Sequence, residues 1–246
     1  MTTTQKKNET PELAAPTAET PTADAPTAVG SATPAPSAVG SATPAPSAVS
    51  ADAPAARTAV HTILTTGYTL STGPGVAATV SYVHDGDRHV VVDPGMVAGR
   101  DRILGPLAAL GLGPDNITDV VLSHHHPDNT MNVGLFGRAR VHDHKAIYEN
   151  DQWTDRDAEG HELTPSLRLI RTPGHSAEDI TLLAGTADGV VAFVGDLWWR
   201  PNGPVEDPVA PDHTVLRASR LRVLAAADVI VPGHGPAFPA DDTAPR

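Results

Sequence analysis

The sequence predicts an α+β domain in which two groups of strands form two sheets with helices on their outer sides. Strand-like apolar segments cluster between residues 61 and 123, and a second group follows between 138 and 196. Helical periodicity is confined to the middle and the end of the chain. Two sheets covered by helices would form one four-layer core, although periodicity by itself indicates only mixed α and β structure.

The first half of the domain is predicted to be mostly strand. Turn signals, GPG and DGD, separate three predicted strands at 61–70, 77–84 and 88–95. A helix is predicted at 100–112, with Ile103, Leu107 and Leu110 on one side. Pro106 inside this helix predicts a kink or a late start. The continuous apolar run at 117–123 predicts a buried strand.

The second half continues with strands and closes with a helix. Strands are predicted at 138–144, 167–172, 179–185 and 189–196. A helix is predicted at 211–228, where Val215, Ala218, Leu221 and Ala225 recur at helical spacing. Asp212 is its expected N-cap. A last short strand lies within 227–235 and runs into a glycine-flanked loop.

Residues 1–56 have a different composition from the rest of the chain. They are rich in Ala, Pro, Thr and Ser, and SATPAPSAVG at 31–40 is followed by SATPAPSAVS at 41–50. Such a segment buries too little apolar surface to offset its ordering entropy, so we expect a disordered, partly polyproline-like tail. A docking arm for a partner is the alternative. The folded domain is predicted at 57–246.

Composition narrows the classes of function. The net charge is −12, of which −10 falls after residue 57, and this acidity disfavours a nucleic-acid surface. The chain has no Cys, so a metal would be held by His, Asp, Glu, Asn or water. No apolar run is long enough to span a membrane. Residues 1–13 lack the apolar core of a signal peptide, so we expect a cytoplasmic protein.

Candidate metal ligands follow apolar runs, where predicted strands end. VVLS precedes His124, His125, His126 and Asp128; LIRTPG, VVAFVG and VIVPG precede His175, Asp196 and His234. Ligands at the ends of strands would meet at one rim of the sheets. In an extended segment His124 and His126 point the same way and His125 the other way, so we expect His125 at the rim. Imidazoles and carboxylates suit Zn²⁺, Fe²⁺ or Mn²⁺.

This pattern resembles the metallo-β-lactamase superfamily, whose motif is H-x-H-x-D-H followed by separate His, Asp and His residues. Here the motif contains His124, His126 and Asp128, with Asn129 in place of its last His. TPGHS, VGD and PGHG then supply His175, Asp196 and His234. Asp93 in VVVDPG matches an early aspartate of the family. More narrowly, residues 120–136 and 142–153 resemble the small metallo-hydrolases grouped with metallo-β-lactamase domain-containing protein 1.

The resemblance implies a four-layer αββα metallo-β-lactamase sandwich with one or two Zn²⁺ per chain, or Fe²⁺ or Mn²⁺, at its edge. It assigns His124, His126 and His175 to the first metal position, and Asp128 and His234 to the second. Asp196 would bridge the two positions, and Asp93 would support the ligands from behind. A metal-activated water would be the nucleophile, and Asp128, as the catalytic residue, would orient it and pass a proton to the leaving group.

Asn129 puts the second metal position in question. A carboxamide oxygen is a weaker ligand than an imidazole, so our hypothesis is that the second metal binds weakly or not at all. Two alternatives stay open: Asn129 binds as a weak ligand through its oxygen and two metals bind normally, or activity is lost.

Other residues are candidates for the surroundings of the site. A substrate pocket with an apolar wall is predicted from the aromatic residues Tyr148, Trp153, Trp198 and Trp199, with ordinary packing as the alternative. Arg200 either meets an anionic group of the substrate or is a solvated surface residue. His142 and His144, with Asp143 between them, form a second small site or are exposed-strand histidines.

The preferred function is hydrolysis of a small ester, thioester or lactone by a metal-dependent enzyme. The first alternative is a ribonuclease or phosphodiesterase, which Lys145 as the one lysine of the domain disfavours. A mononuclear iron sulfur dioxygenase and a non-catalytic binding protein with a degenerate site are the others. The expected partner is a small molecule, without nucleic acid or membrane; no oligomeric state is predicted.

Overall fold

A computed structural model describes residues 50–246, and two β-sheets form the centre of this part of the chain. The strands in chain order are β1 Val60–Thr65, β2 Tyr68–Thr69, β3 Val76–Ala77, β4 Val80–Asp85, β5 Arg88–Val92, β6 Asp119–Val121, β7 Arg140–His142, β8 Ala146–Glu149, β9 Gln152–Asp155, β10 Glu162–Thr164, β11 Leu167–Arg171, β12 Ile180–Thr186, β13 Gly189–Phe193, β14 Val229–Val231 and β15 Phe238–Pro239. The α-helices are α1 Asp101–Ala109, α2 Pro127–Thr130 and α3 His213–Ala226. No helix of the described residues is both long and apolar enough to cross a membrane.

The two sheets differ in size, but each contains neighbouring strands that run parallel within an otherwise antiparallel sheet. The first has the order β1-β4-β5-β6-β7-β8-β9, and β5, β6 and β7 run parallel. The second has the order β10-β11-β12-β13-β14-β15, and β13 and β14 run parallel. Strands β2 and β3 form a separate hairpin. Because the carboxyl ends of parallel strands meet at one edge, the loops after β5, β6, β13 and β14 are well placed to build a site.

Three apolar clusters hold the layers together. Val90 and Val92 of β5 face the second sheet, where Leu182 of β12 belongs to the same cluster. Val91, between them, faces the other way and joins the cluster that contains Leu107 of α1. The third cluster joins the far side of the second sheet to α3. The order helix, sheet, sheet, helix confirms the predicted four-layer αββα sandwich.

Several predicted element boundaries need correction. The strand expected at 61–70 is interrupted before β2, because the Gly67 backbone packs against residues 77–79; a Cβ on Gly67 would lie 2.4 Å from the Ala77 carbonyl oxygen. Helix α1 contains Pro106 but does not start late. The β8–β9 hairpin was not predicted, because β9 is exposed along its whole length and shows no apolar alternation.

Helix α3 begins where predicted but buries a different face. Asp212 caps it by accepting hydrogen bonds from the backbone nitrogens of Thr214 and Val215, at 2.7 and 3.3 Å. The predicted stripe is exposed, and the buried residues are Leu216, Ser219, Arg220, Val223 and Ala226. Apolar spacing missed this face because Arg220 lies on it. Its guanidinium is buried and donates to the carbonyls of residues 197, 204 and 205.

The packed chain starts earlier than composition indicates. Asp52 accepts two hydrogen bonds from Arg222 at 2.8 Å, and the Ala56 nitrogen donates to the Pro165 carbonyl at 2.9 Å. Residues 50–56, assigned to the tail from their composition, therefore contact the domain. The remainder of the predicted tail, 1–49, lies outside the described residues.

Candidate metal centre

The predicted ligands lie on four loops at the carboxyl ends of strands. His124, His126 and Asp128 follow β6, and Asp128 already belongs to the short helix α2. Asp196 follows β13 and His234 follows β14. His175 lies on the loop between β11 and β12. Strands of both sheets thus deliver the side chains to one edge of the sandwich.

Three histidines converge on one point. The Nδ1 of His126 lies 3.0 Å from Nε2 of His124 and 2.9 Å from Nε2 of His175. Asp196 Oδ2 lies 3.9 Å from the His124 nitrogen and 3.6 Å from the His175 nitrogen. The four ligand atoms lie within 4.8 Å of one another, an arrangement that could hold one metal ion.

A second group adjoins the first and shares Asp196 with it. His234 Nε2 lies 3.1 Å from Asp196 Oδ2 and 3.4 Å from Asp128 Oδ2. These three residues form a second set of potential metal ligands. All six residues expected from the sequence are therefore brought together, and the shared carboxylate is the one expected to bridge.

Three of the four histidines are oriented by a partner of Nδ1, the ring nitrogen that faces away from the centre. Nδ1 of His124 lies 3.0 Å from Ser123 Oγ, and Nδ1 of His234 lies 2.9 Å from the Ala77 carbonyl oxygen. Nδ1 of His175 lies 2.6 Å from Oδ2 of the buried Asp207. A proton on each Nδ1 leaves the Nε2 lone pair free to face the centre, as metal ligation requires.

Asp207 is a site residue that the sequence analysis missed. It lies in the irregular loop between Trp199 and helix α3, and no apolar run precedes it. Trp199 Nε1 also donates to its Oδ2, at 3.3 Å. Only the folding back of this loop onto His175 reveals its role, so no local sequence signal marks it.

Asp93 supports the motif loop, residues 122–126 between β6 and α2, through a hydrogen bond to its backbone. The Ser123 nitrogen donates to Asp93 Oδ1 at 2.7 Å, immediately before His124. Asp93 is buried and adopts a left-handed φ of 47°, a conformation that costs a non-glycine residue energy. Burial raises the pKa of its carboxyl to about 7, against the opposing effect of the Ser123 hydrogen bonds.

The protonation states of the candidate ligands favour the binding of a cation. Burial lowers the pKa of His124 to about 3, so its imidazole is neutral. Burial opposes ionisation of Asp196, but the hydrogen bond and charge of His234 outweigh it and lower the pKa of the carboxyl to about 2. Burial likewise opposes protonation of His234, yet Asp196 raises its pKa to about 9. A bound metal would therefore replace a proton on His234.

The donor set fits a divalent transition metal. Neutral imidazoles and carboxylates are the ligands that Zn²⁺, Fe²⁺ and Mn²⁺ share in proteins.

Two glycines permit the close approach of the loops that carry the candidate ligands. A Cβ on Gly233 would lie 1.9 Å from Asp196 Oδ1, and one on Gly195, whose φ is +53°, would lie 2.0 Å from Ser123 Oγ.

Asn129 presents its amide nitrogen to the ligands. Nδ2 lies 3.4 Å from Asp196 Oδ1 and 3.5 Å from His124 Nε2. Its Oδ1 is buried without a hydrogen-bond partner, which costs about 1–3 kcal/mol. In this orientation Asn129 donates a hydrogen bond to Asp196 and cannot bind a cation. Rotation of the amide by half a turn would present the oxygen instead.

A cleft of about 270 Å³ opens above the ligands. Its wall is formed by Thr69 and Val76 of the β2–β3 hairpin and by Trp199 and Val209. No Lys or Arg is among the described residues that line it, and Arg200 does not reach it.

Of the four aromatic residues predicted to line the pocket, one does so. Trp199 lies on the cleft wall. Trp198 is completely buried and contacts Phe238, so its assignment to the pocket is wrong. Tyr148 and Trp153 pack against each other on the β8–β9 hairpin and do not line this cleft. Trp198 and Trp199 differ because successive residues of an extended chain face opposite sides.

Of the two alternatives for His142 and His144, exposed-strand histidines are wrong for the buried His142, and the second small group does not contain it. His142 is buried and bonds to Asp119 at 2.8 Å. His125 points away from the metal centre, as strand alternation predicts, and meets Asp143 and His144 instead. Besides His142, five histidines contribute no ligand atom to a candidate group of the described residues: His61, His84, His89, His161 and His213.

The fold and the site together define a class of protein: an αββα sandwich with histidines and aspartates at the edge of its two sheets. The sequence model of the metallo-β-lactamase superfamily matches residues 73–151. Metallo-β-lactamase domain-containing protein 1 of Xenopus laevis is 34% identical over 161 residues, which cover 61% of this chain and 67% of that protein. The human protein of the same name is 38% identical over 161 residues, covering 61% and 59%. The chain belongs to the metallo-β-lactamase superfamily.

Solved structures show the same fold. A metallo-β-lactamase protein from Thermotoga maritima superposes with a TM-score of 0.61 at 22% identity, covering 74% of this chain and all of that one. The protein TTHA1623, solved in a di-iron-bound form, has a TM-score of 0.53 at 23% identity, covering 70% of this chain and 94% of that one.

Two more distant relatives are named for hydrolytic activities. An N-acyl homoserine lactonase of Bacillus cereus is 28% identical over 141 residues, covering 51% of this chain and 56% of that protein. A hydroxyacylglutathione hydrolase of Albidiferax ferrireducens is 31% identical over 124 residues, covering 46% and 45%. The family therefore includes hydrolases of small molecules.

Proposed function

We propose that this protein is a metal-dependent hydrolase of a small, uncharged ester, thioester or lactone. The observation that carries the proposal is the convergence of His124, His126 and His175 with Asp196 at the floor of a largely apolar cleft. A divalent metal bound there would lower the pKa of a water molecule to about 7 and polarise the carbonyl of the substrate. We expect Zn²⁺ at this position, with Fe²⁺ or Mn²⁺ as alternatives.

Two residues of the cleft have proposed roles beyond metal binding. Asp128 is partly exposed and its Oδ2 lies 3.4 Å from His234 Nε2, so it is placed at the boundary between the ligands and the cleft. We assign to it the orientation of the attacking water and the transfer of a proton to the leaving group. Trp199 offers an apolar surface beside His175 for the acyl part of a substrate.

The lack of cationic residues in the cleft wall favours uncharged substrates. Lys and Arg commonly pair with the anionic groups of a phosphodiester or a multiply charged thioester, and the described lining contains neither. The lactonase relative supports the same substrate class.

Asn129 supports an asymmetric site within this proposal. The three-histidine group has its full set of ligands, whereas the second group has only Asp128, His234 and a share of Asp196. The amide nitrogen of Asn129 faces Asp196, and this orientation does not favour a cation beside it. We expect about one tightly bound metal at the cleft of each chain.

The test begins with metal stoichiometry, measured by elemental mass spectrometry on the full chain without a histidine tag. Hydrolysis of a panel of uncharged esters, thioesters and lactones follows, with a phosphodiester as comparison. We expect about one metal at the cleft, counted as the metal that Asp196→Asn loses, and turnover of the uncharged panel only. Asp196→Asn should lose the metal of the cleft and, with it, turnover. Retention of turnover after complete metal removal would refute the proposal.

Asn129→His tests the asymmetric site separately, with Asn129→Ala as its matched control. The histidine variant should bind a second metal more tightly than the wild type, whereas the alanine variant should not. If the histidine variant gains no second metal, the hypothesis is wrong. Two tightly bound metals in the wild type that are both lost in Asp196→Asn would mean that Asn129 rotates and binds through its oxygen.

A further inference from the structure

A second cluster of ligand atoms lies behind the motif loop, on the side that faces away from the metal centre. One ring nitrogen of His125, one of His144 and a carboxylate oxygen of Asp143 lie within 4.8 Å of one another. His125 Nε2 lies 3.2 Å from Asp143 Oδ2. Asp143 is buried, while His125 is exposed and His144 is partly exposed. The cluster is therefore open to ions from solvent.

The surroundings orient these side chains as the surroundings of metal ligands do. Glu178 Oε1 lies 2.9 Å from Nδ1 of His125 and can accept a hydrogen bond from the proton on that nitrogen. The other ring nitrogen, Nε2, faces Asp143 and could present its lone pair to an ion bound between the two side chains. The same pairing of carboxylate, imidazole and inward-facing nitrogen occurs at His175 with Asp207, and it is the usual support of a metal-binding histidine.

Asp143 is held in position from the other side. Its Oδ1 accepts from the backbone nitrogens of Lys145 and Ala146, at 2.8 and 2.7 Å, and its Oδ2 accepts from the Tyr148 hydroxyl at 2.5 Å. Its side chain therefore has a defined orientation before any ion arrives, which reduces the entropic cost of binding.

The charge balance of the cluster favours a cation. Asp143 and Glu178 form no ion pair with Lys or Arg among the described residues; their recorded partners are histidines. Lys145 is turned towards the ring of Trp153, with Nζ 5.4 Å from its centroid. Arg156 donates to the backbone carbonyl of Asp143 rather than to its carboxylate.

We propose that His125, Asp143 and His144 bind a divalent transition metal such as Zn²⁺, independently of the metal centre at the cleft. Three protein ligands leave a further position for water, as in open zinc sites. The ion would join the motif loop to the turn between β7 and β8. Through Glu178 it would also restrain the loop that carries His175. This site would therefore stabilise the ligand loops of the metal centre without contacting a substrate.

The experiment counts Zn²⁺ on the full, untagged chain by equilibrium dialysis and elemental mass spectrometry across increasing free Zn²⁺. The wild type should reach a plateau one equivalent above that of His144→Gln. Glu178→Gln should reach the wild-type plateau with roughly 10- to 100-fold weaker binding of the last equivalent, as for removal of a partner of a metal-bound histidine. His61→Gln is the matched control and should not differ from the wild type.

Two further measurements keep the outcome decisive. Asp196→Asn should lose metal from the cleft but retain the additional equivalent, which separates failure of this site from failure of the proposed hydrolase site. In the wild type, the ¹⁵N ring signals of His125 and His144 should shift as the last equivalent binds. Equal plateaus for the wild type and His144→Gln, or unshifted ring signals at saturating Zn²⁺, would overturn the proposal.

Discussion

Replacement of Asp207 by Asn tests whether the metal centre depends on the partner of His175. Asp207 is completely buried, and its Oδ2 lies 2.6 Å from Nδ1 of His175. Its Oδ1 accepts from the Val209 nitrogen at 2.9 Å. Asn has nearly the same shape, so the substitution removes the charge while leaving the packing in place. A neutral amide oxygen can still accept a hydrogen bond from His175 Nδ1, but this bond holds the imidazole less strongly than the bond to a carboxylate.

The expected magnitude follows from the hydrogen bond that is weakened. A hydrogen bond to a charged group contributes about 1.5–3 kcal/mol. At about 1.4 kcal/mol per factor of ten, complete loss of this contribution corresponds to roughly 10- to 150-fold weaker metal binding. Measured losses of partners behind metal ligands, about 10- to 100-fold, lie in the same range. Because the Asn oxygen keeps part of this hydrogen bond, we expect Asp207→Asn to weaken binding of the metal held by His175 by roughly 10-fold, the lower end of this range.

The assay is competition for Zn²⁺ with a chromophoric chelator, for wild type and variant at the same pH. Asp212→Asn is the control, because it makes the same chemical change near the same loop and Asn still caps helix α3. Its metal affinity should equal that of the wild type. Unchanged affinity in Asp207→Asn would refute the role given to Asp207, and an equal loss in Asp212→Asn would show that the effect is not specific.

Three further predictions concern packing and protonation. Gly233→Ala places a Cβ against a ligand carboxylate and should reduce metal content and thermal stability, whereas Gly134→Ala, which meets nothing within 4 Å, should not. Trp198→Ala should lower the free energy of unfolding in urea by about 3–5 kcal/mol, while Trp153→Ala, 58% exposed, should change it little; the reverse order would contradict the burial described above. Burial, with smaller effects of neighbouring charges, lowers the pKa of His161 to about 4 from 6.5. The stability that neutral, buried His161 contributes should be complete above pH 6.5 and lost as the pH falls towards 4. Between pH 7.5 and 5 the free energy of unfolding should therefore fall less in His161→Gln than in the wild type, and equal decreases would contradict this.

The residues that converge at the candidate metal centre could be picked out from the sequence because their signal is local. Each follows an apolar run that forms a buried strand, and the end of a strand is a place where a polar side chain leaves the core. Alternation along an extended segment also separates His125 from His124 and His126, and the structure places them on opposite sides. The family pattern supplied the four-layer arrangement that periodicity alone did not specify.

Where sequence prediction failed, the cause lies in contacts between distant segments. The buried face of helix α3 contains Arg220, which the apolar pattern predicts to be exposed to solvent. Its buried guanidinium donates hydrogen bonds to three backbone carbonyls. Residues 50–56 look like tail, yet Asp52 pairs with Arg222 and Ala56 bonds to residue 165. In each case a polar group becomes suitable for burial only because a partner far along the chain satisfies it.

The sequence by itself determined the class of fold, the motif residues and their order along the strands. Only the tertiary structure decided that Asp207 holds His175, that Trp199 and not Trp198 faces the cleft, and that His125 joins Asp143 and His144. The physical reason is that strand and helix periodicity depends on neighbouring residues. Hydrogen-bond partners and the walls of a cleft depend instead on how separate loops pack at the edge of the two sheets.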